Sequence, residues 1–405
     1  MINFSSKSGT EHGAMMLQSP LEGMLVLDFG QFLSAPSAAL RLADLGARVI
    51  KVERAGSGDI CRRLYISNME LDGDSTLFHS INRNKESYAA DLRDPADAAE
   101  VHALIRQADV LIQNFRPGVM ERLGFHYEAV KAINPAIVYG EITGYGNEGP
   151  WVGKPGQDLL VQSMSGLTNE GGTRGGAPKP LGLAVTDMIA GAHLVQGVLS
   201  CLVRRGVTGV GARVEVSLLE SALDLQVNSL TAYLNLDDNK AQAQCQPDSQ
   251  LLQQNQSMTE SQFSSFPLPD KGIYATSDGY VTVLPREEEA AVTEHEAHEA
   301  NAANPASYLL ATNAMTTQQL SAALEPAGYE VAQVLNWRQL LEEEHFTRLN
   351  MVQSITRGNG TTMRTTCCPI RIDGMQFRSE KGSPKVGEDT AAIRIRLIDP
   401  TLEGG

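Results

Sequence analysis

The residue best placed to do chemistry in this 405-residue chain is Asp187, which lies between GLAVT and the apolar stretch MIAGAHLVQGVLSCLV. The apolar stretch predicts a long helix that begins close to Asp187. A carboxylate in that place can be an N-cap, which accepts a backbone N–H at the helix start. The same helix N-terminus favours the ionised carboxylate and so also suits a nucleophile. Capping is the simpler interpretation, and the two roles are compatible. Asp158, in KPGQDLL, is the competing acid, with a loop or cap role as its simplest interpretation.

Several basic residues fall at or near the ends of predicted strands: Arg54, Lys85, Arg93, Arg116 and Arg122. As solvated surface they need no explanation, but together they could bind a ligand that carries several phosphates. The first strand-to-helix junction, DFGQFLSAPS, lacks the GxGxxG spacing of dinucleotide sites, and no Walker lysine motif is present. A nicotinamide or P-loop nucleotide site is therefore not predicted.

Metal binding is not predicted either. His295 and His298 are three residues apart, whereas a zincin motif needs two histidines at i and i+4. The glutamates around them are typical of a solvated helical face.

Composition excludes further classes of function. The net charge of −15 disfavours binding to nucleic acid or to an anionic membrane through a broad basic surface. The window Leu181 to Val203 is apolar, but it contains Asp187, His193 and Gln196, so a buried helix is expected and not a membrane span. Five cysteines without a CxxC pair, and a first twenty residues without a basic-then-apolar pattern, predict a cytoplasmic protein.

The elements that must position these residues alternate between buried strands and amphipathic helices. Strand and helix predictions fall at Met24–Phe29, Pro36–Leu45, Arg48–Val52, Ser87–Asp91, Pro95–Arg106, Asp109–Gln113, Tyr127–Ile133 and Ala136–Glu141. The order predicts an α/β fold with a doubly wound parallel sheet. A glycine-rich loop over 144–176, the long helix to about Arg205, a strand at RVEVSL and a helix at LESALDLQ follow.

The remainder of the chain has a different character. Residues 237–265 are rich in Gln, Asn, Ser and Asp and are predicted to be a linker. A β-hairpin is expected over 272–284, a helix over 286–304, and short strands over 330–335 and 370–372. The predicted domains are an N-terminal tail (1–20), a large domain (21–230), a linker with a small α+β domain (231–325) and a C-terminal segment that returns to the large domain (326–405).

A series of blocks resembles the class III coenzyme A transferases, the CaiB–BaiF family that includes formyl-CoA transferases. The matching blocks are LEGMLVLDFGQFLSAPSAALRLADLGARVIKVERAGSGD, NRNKES, DLRD, QNFRPGVMERLGF, INPAIVYGEITGYGNEGP, KPGQDLLVQSMSG, LGLAVTDMIAGAHLVQGVLS and GVGARVEVSLLESALDL. They cover roughly residues 21–226, and weaker similarity resumes at KGIYATSDGYVTV, VAQVLNWRQLL and CCPIRIDG.

The resemblance implies a Rossmann-like, CoA-binding large domain, a smaller domain and two interlocked chains in a homodimer. It implies transfer of coenzyme A from an acyl-CoA to a small carboxylic acid, with CoA as substrate and no permanently bound cofactor. The family's aspartate nucleophile falls on Asp187, which would form an aspartyl–acyl anhydride and then an aspartyl-CoA thioester. Asp158 takes the place of a supporting acid.

The resemblance also implies contacts to coenzyme A. The positions that match the family's CoA-binding segments are Arg54, Leu92, Arg93, Asn114, Phe115, Arg116, Arg122, Lys154 and Asp158.

Three departures bear on function. Leu33 stands where oxalate-using formyl-CoA transferases carry a glutamine, although Gln31 lies nearby. The glycine-rich closing loop of those enzymes has no counterpart in QNQSMTESQFSSF. Gln157 replaces the histidine that α-methylacyl-CoA racemases use as an acid–base group, and a carboxamide exchanges no proton at neutral pH. A transferase is therefore favoured. One alternative is a racemase, in which His193 would be the substitute base. The other is a non-catalytic CoA-binding paralogue.

Overall fold

A computed structural model describes residues 19–65, 67–170, 177–235, 272–286 and 312–398 of the chain. The predicted linker over 237–265, the predicted helix beyond Arg286, and His295 with His298 all lie outside the described residues.

Regular elements account for most of the described residues. The strands are β1 (Leu25–Asp28), β2 (Arg48–Arg54), β3 (Glu70–Leu71), β4 (Asp74–Ser75), β5 (Glu86–Ala90), β6 (Val110–Gln113), β7 (Val138–Thr143), β8 (Ala212–Ser217), β9 (Gly272–Ala275), β10 (Tyr280–Pro285), β11 (Tyr329–Gln333), β12 (Val352–Thr356), β13 (Thr362–Thr366), β14 (Arg371–Ile372) and β15 (Met375–Gln376). The α-helices are α1 (Ser34–Asp44), α2 (Thr76–Asn82), α3 (Pro95–Gln107), α4 (Val119–Leu123), α5 (Tyr127–Ile133), α6 (Asp158–Met164), α7 (Leu167–Glu170), α8 (Val185–Thr208), α9 (Leu218–Leu225), α10 (Val227–Leu234), α11 (Thr317–Leu324), α12 (Trp337–Glu342), α13 (Glu344–Leu349) and α14 (Thr390–Ile398). Short 3₁₀ helices lie at Ile60–Arg63, Thr312–Ala314 and Glu325–Ala327.

Six parallel strands form the central sheet in the order β5-β2-β1-β6-β7-β8, which confirms the predicted α/β class. Strand β1 pairs with β2 on one side (Val26↔Val49) and with β6 on the other (Val26↔Val110). The chain adds β2 and β5 on one side of β1 and then crosses to add β6, β7 and β8 on the other side. The strand order therefore reverses between β1 and β6. In open parallel sheets, ligands bind beyond the carboxyl ends of the strands at such a switch point.

Alternating side chains bury both faces of this sheet. One face packs its side chains, Leu27, Ile50 and Tyr139 among them, into a core with α3, α4, α5 and α14. On the other face α1 packs against α8, and α8 packs on β7 and β8. The central strands β1 and β6 are almost wholly buried, and their sequences are mostly apolar, as predicted.

Local signals located several helix ends correctly. Asp94 caps α3 by accepting the N–H groups of Ala96 and Asp97, and Gly46 adopts a left-handed φ of +103° just beyond α1. The predicted end of α8 near Arg205 is wrong, because the helix continues through Gly206 to Thr208 and ends on Gly209, whose φ is +70°. Glycine is tolerated within a helix, so Gly206 alone did not mark the end.

Two units can be separated by their internal contacts. One contains the six-stranded sheet and comprises the described residues of 1–161, 183–222 and 351–405. In it, α14 packs on β5 and α3, and Asp389 accepts the backbone N–H of Ser87. The other comprises the described residues of 162–182 and 223–350. There the antiparallel pair β9–β10 confirms the predicted hairpin, and β11 pairs with β10 over a core that includes Val281 and Leu320.

Helix α8 is long and apolar enough to cross a membrane by length and composition alone. One such helix is weak evidence for a span, since core helices pass the same test. One face of this helix contacts α1, β7 and β8.

Two glycines of α8 give opposite predictions for the same substitution. A Cβ at Gly191 would lie 2.5 Å from Ser37 Oγ and 2.8 Å from the carbonyl oxygen of Ser34, whereas a Cβ at Gly206 would meet nothing within 4 Å. Gly191→Ala is expected to lower the free energy of unfolding by about 1–3 kcal/mol, because α1 must move away. Gly206→Ala should raise it by about 0.5–1 kcal/mol through helix propensity. Urea unfolding of both variants tests the close approach of α1 and α8. Equal changes in the free energy of unfolding for the two variants would contradict it.

Candidate active site

Asp187 is the third residue of α8. The sequence predicted that its carboxylate would be the N-cap of this helix. The N-cap is Ala184, which makes no side-chain capping bond. The interpretation of Asp187 as the N-cap is therefore wrong, because the helix begins at Val185 and another residue supplies the cap. The Asp187 carboxyl is consequently free of the first-turn N–H groups of its own helix.

Asp158 supplies the missing cap from the start of α6. Its Oδ1 accepts the backbone N–H of Thr186 at 2.8 Å, the Thr186 hydroxyl at 2.5 Å and the backbone N–H of Asp187 at 3.1 Å. A negative charge is favoured at the N-terminal end of a helix, so this contact fixes both the start of α8 and the place of its third residue.

The electrostatic environment of Asp187 disfavours its charge. Partial burial raises the pKa of Asp187 to about 7, the negative charge of Asp158 contributes to this rise, and a hydrogen bond from the Ser34 side chain opposes it in part. Ser34 is almost fully buried at the first position of α1. Near neutral pH the carboxyl thus exchanges between ionised and protonated forms, a property that is common at functional sites.

The loop from β1 to α1 is fixed by side chains that come from other elements. Asn114 Oδ1 accepts the N–H of Gln31 at 2.8 Å, and Asn114 Nδ2 donates to the carbonyl of Gln31 at 2.8 Å. Asp59 accepts the N–H of Phe32, which holds a left-handed φ of +61°. A bulky residue in that region costs free energy and persists only when its surroundings enforce it.

Buried charged side chains hold the start of this loop. Asp28, fully buried at the end of β1, accepts from Lys85 Nζ at 2.8 Å and lies 3.8 Å from Lys51 Nζ. Burial would raise the pKa of Asp28, but the two ammonium groups hold it below its usual range. Lys51 Nζ in turn donates to the carbonyl of Gly30 at 2.7 Å and pairs with Asp59 at 2.9 Å.

Lys85 cannot be a phosphate ligand, contrary to the prediction. Its ammonium donates to Asp28, to the carbonyl of Pro36 and to Asn82, which occupies its three hydrogens. Burial lowers its pKa to about 8 even though Asp28 opposes that effect.

A cleft of about 870 Å³ opens at the carboxyl ends of β1, β2 and β5. Four predicted CoA residues line it: Arg54, Leu92, Arg93 and Phe115. Gln31, Lys51 and Asp59 line it too, so the loop before α1 forms part of its wall. Arg54 and Arg93 are exposed, which leaves both guanidinium groups accessible to an anionic ligand.

The other predicted CoA residues lie elsewhere. Arg116 lines a second cavity, of about 520 Å³, together with Glu141 and Arg213. Arg122 is exposed and lines neither cavity, and Lys154 is exposed with its ammonium 5.3 Å from the Trp151 ring. Asn114 contacts the loop before α1, as described above.

Sequence reasoning missed Ser34 and Lys51. The SAPS start of α1 was a usable signal for Ser34, since serine is common at helix starts, but nothing local connects it to Asp187. Lys51 was missed because it lies between the apolar residues of β2. The two positions considered for a racemase lie apart from these contacts. Gln157 is exposed, and the half-buried His193 lies with Nδ1 3.0 Å from Ser221 Oγ. Among the described residues, no group of His, Cys, Asp and Glu side chains is arranged to hold a metal.

Comparison with known proteins agrees with this architecture. The model of the family described as CoA-transferase family III matches residues 21–390. An acetyl-CoA:oxalate CoA-transferase of Acetobacter aceti is 39% identical over 220 residues, which are 53% of this chain and 55% of the relative. A mouse succinyl-CoA:glutarate CoA-transferase is 38% identical over 215 residues, or 53% and 49% of the two chains. The chain thus spans about half the length of these curated relatives. The crystal structure of a CAIB/BAIF family protein from Brucella suis superposes with a TM-score of 0.75 at 26% identity and covers 94% of this chain and all of the other.

Asp187→Asn should stabilise the protein in a pH-dependent way. The pKa of Asp187 is about 7 in the folded state against an ordinary 3.8, so the folded state binds the extra proton between these values. Wild-type stability therefore falls as pH rises from about 4 to 7, and a neutral carboxamide at this position avoids that loss. The difference in free energy of unfolding should grow to about 2–4 kcal/mol at pH 8, measured by urea unfolding. A difference that does not change with pH would mean that folding does not raise the pKa of Asp187.

Proposed function

The chain belongs to CoA-transferase family III, and from that premise we propose that it moves coenzyme A from an acyl-CoA to a carboxylic acid, with Asp187 as nucleophile. The family expected from the sequence is confirmed. One observation carries the assignment of the site: Gln31 in the wall of the cleft bonds to Asn114, which donates to Ser34 Oγ, and the Ser34 side chain acts on the pKa of Asp187.

The proposed reaction proceeds through two kinds of covalent intermediate. A carboxylate oxygen of Asp187 attacks the thioester carbonyl, the C–S bond breaks, and an aspartyl–acyl anhydride and CoA thiolate result. The thiolate attacks the aspartyl carbonyl of the anhydride and releases the donor acid, which leaves an aspartyl-CoA thioester. The acceptor carboxylate then expels the thiolate, which attacks the acceptor side of the new anhydride. This yields the new acyl-CoA and restores the Asp187 carboxylate, with no net proton transfer. Covalent catalysis replaces one difficult exchange by several easier ones.

The surroundings of Asp187 suit these steps. A carboxylate with a raised pKa is more basic than a solvated one and so is a better nucleophile. Asp158 keeps the chain around Asp187 in place, because it holds the N–H groups of both Thr186 and Asp187. Ser34 supplies a donor that stabilises the ionised form.

The cleft suits the nucleotide end of coenzyme A. Arg54 and Arg93 provide accessible positive charge for phosphate groups, in an otherwise acidic chain. The half-buried Phe115 ring and Leu92 provide apolar contact beside them. Lys154 and Arg122 stay candidates for contacts made when the substrate binds.

For the acceptor we propose a small carboxylic acid, since relatives are named for oxalate and glutarate. Leu33 packs against Cys61, Phe78 and Ile81, so its side chain contributes to the core. The exposed Gln157 gives no support to the racemase alternative. A homodimer, a cytoplasmic location and the predicted domain boundaries are further parts of the proposal. The exposed Val203 and Val207 on α8 support contact with a second chain, which analytical ultracentrifugation would test.

A transfer screen by mass spectrometry tests the function. Protein is mixed with succinyl-, acetyl- or formyl-CoA and a panel of carboxylic acids, and new acyl-CoA masses are sought. We expect at least one new thioester with the wild type and none with Asp187→Ala, which removes the nucleophile but no group of the cleft.

Two results would contradict the proposal. Full transfer by Asp187→Ala would show that the nucleophile is another residue. Failure of all pairs, combined with loss of the α-proton of a 2-methylacyl-CoA in deuterated buffer, would establish the racemase alternative.

Arginine substitutions test the cleft separately from the chemistry. Arg54→Ala should weaken CoA binding by about tenfold, because one charge-assisted phosphate contact is lost. Arg63→Ala is the matched control, since Arg63 is also exposed but does not line the cleft. Isothermal titration calorimetry with free CoA gives both dissociation constants, and equal affinities for the two variants would contradict this binding site.

A further inference from the structure

The start of α8 is held by one oxygen of a residue that is distant in the sequence. The first N–H groups of an α-helix have no partner within the helix, and the N-cap of α8, Ala184, makes no side-chain capping bond. Asp158 Oδ1 accepts the N–H of Thr186 at 2.8 Å and that of Asp187 at 3.1 Å. The backbone at the proposed nucleophile therefore bonds to a single carboxylate oxygen.

Thr186 adds a third bond to the same oxygen, and this one comes from its side chain. The hydroxyl lies 2.5 Å from Asp158 Oδ1 and donates its only hydrogen to it. Most residues at this position would supply the N–H, but only a short hydroxyl side chain supplies the second donor as well. The β-branched threonine side chain is restricted at χ1, so both donors meet the acceptor from fixed positions. Thr186 is fully buried, and with its hydrogen used it cannot donate to a substrate.

The start of α11 contains the same arrangement beside a carboxamide. Asp278 Oδ1 accepts the N–H of Thr317 at 2.7 Å and its hydroxyl at 2.7 Å, and Thr317 is also buried. The residue after Thr317 is Gln318, and α11 has a capping box of its own, formed by Thr316 and Gln319. An aspartate and a threonine thus fix the start of each helix, but only in α8 does this pair adjoin the proposed nucleophile.

The position of the first turn of α8 matters because Asp187 is proposed to attack with its own side-chain oxygen. One turn further along, α8 is held against α1, where Gly191 admits the carbonyl of Ser34. The turn before that contact is fixed by the bonds to Asp158. Displacement of a reacting group by about 1 Å can lower a rate by about a hundredfold, so loss of the hydroxyl should be visible in kcat.

We propose that Thr186 is a positioning residue for the nucleophile: its hydroxyl fixes Asp158 Oδ1 at the start of α8, and the same oxygen holds the N–H of Asp187. This inference rests on the proposed function in taking Asp187 as the nucleophile. The three hydrogen bonds themselves involve no substrate, so they can be tested separately from turnover.

Three substitutions separate the hydroxyl from everything else that Thr186 contributes. Thr186→Val keeps the shape and the N–H and removes the hydroxyl, Thr186→Ser keeps the hydroxyl, and Thr317→Val removes the matching bond at α11 as a control. In transfer assays, Thr186→Val should lower kcat about tenfold, because a charge-assisted hydrogen bond is lost and the nucleophile is displaced. The dissociation constant of CoA should not change. Thr186→Ser should restore most of kcat, and Thr317→Val should leave it unchanged.

Amide hydrogen exchange reports on the same contact in the full chain without substrate. Aspartate is labelled with ¹⁵N, and the NMR signal that disappears in Asp187→Asn belongs to Asp187. The N–H of Asp187 should exchange about tenfold faster in Thr186→Val than in the wild type, because its acceptor is then held by two donors instead of three. Thr186→Ser and Thr317→Val should leave this rate close to that of the wild type.

Urea unfolding distinguishes positioning from a merely structural role. Thr186→Val and Thr317→Val each lose one bond between a buried threonine hydroxyl and an aspartate, so their unfolding midpoints should fall by similar amounts. A positioning role predicts that kcat falls in Thr186→Val alone although both variants lose comparable stability. Thr186→Ala is the second variant should Thr186→Val fail to fold, and the same results are expected from it.

Three results would overturn the proposal. The first is an unchanged exchange rate of the Asp187 N–H in Thr186→Val, and the second is an equal loss of kcat in Thr186→Val and Thr317→Val. The third is a weaker affinity for CoA with unchanged kcat, which would make Thr186 part of the binding site. Absence of turnover in the wild type contradicts the proposed function, and hydrogen exchange then still decides whether Thr186 holds the backbone of Asp187.

Discussion

The site depends above all on the buried carboxylate of Asp28. An isolated charge in a protein interior is very costly, and this one is tolerated because Lys85 and Lys51 surround it and Gly30 donates its N–H. The pairing is reciprocal, since both ammonium groups are also fully buried and need the carboxylate. Loss of any one member would leave an uncompensated charge in the core. The end of β1 and the start of the loop beyond it are therefore rigid before any ligand binds.

From this anchor the contacts extend toward the Asp187 carboxyl in short steps. Lys51 holds the carbonyl of Gly30, Asn114 holds Gln31 and donates to Ser34 Oγ at the start of α1, and Ser34 in turn lowers the pKa of Asp187. The approach of α8 completes the arrangement, because Gly191 lies one turn beyond Asp187 and its missing side chain admits the carbonyl of Ser34. Two helices that begin far apart in the sequence thus pack closely against each other near their starts.

The sequence predicted local features well and long-range polar contacts poorly. Strands such as β1 and β6 were recognisable because burial on both faces gives a mostly apolar run, and Asp94 was recognisable because a cap bonds within its own helix turn. By contrast, Asn114 and Gln31 are 83 positions apart, and Lys85 and Asp28 are 57 apart. No periodicity records such a pair, so Lys85 resembled a surface cation and Asp187 resembled a cap. The family resemblance, and not periodicity, is what led to the proposal of Asp187 as the nucleophile.

The error over the helix cap bears directly on the nucleophilic role proposed for Asp187. A carboxylate that accepts first-turn N–H groups is stabilised in its ionised form, and the same stabilisation makes it a weaker base and nucleophile. In this protein the capping bonds go to Asp158, whose Oδ1 takes the N–H groups of Thr186 and Asp187. Asp187 keeps its position in the first turn but, relieved of capping, has its pKa raised to about 7 by partial burial and by the charge of Asp158. Division of the two roles between two carboxylates keeps the helix start stable while the second carboxylate stays as basic as the proposed attack on a thioester requires. The single donor at Ser34 then limits how far the pKa rises, so that an appreciable fraction of Asp187 is ionised at neutral pH.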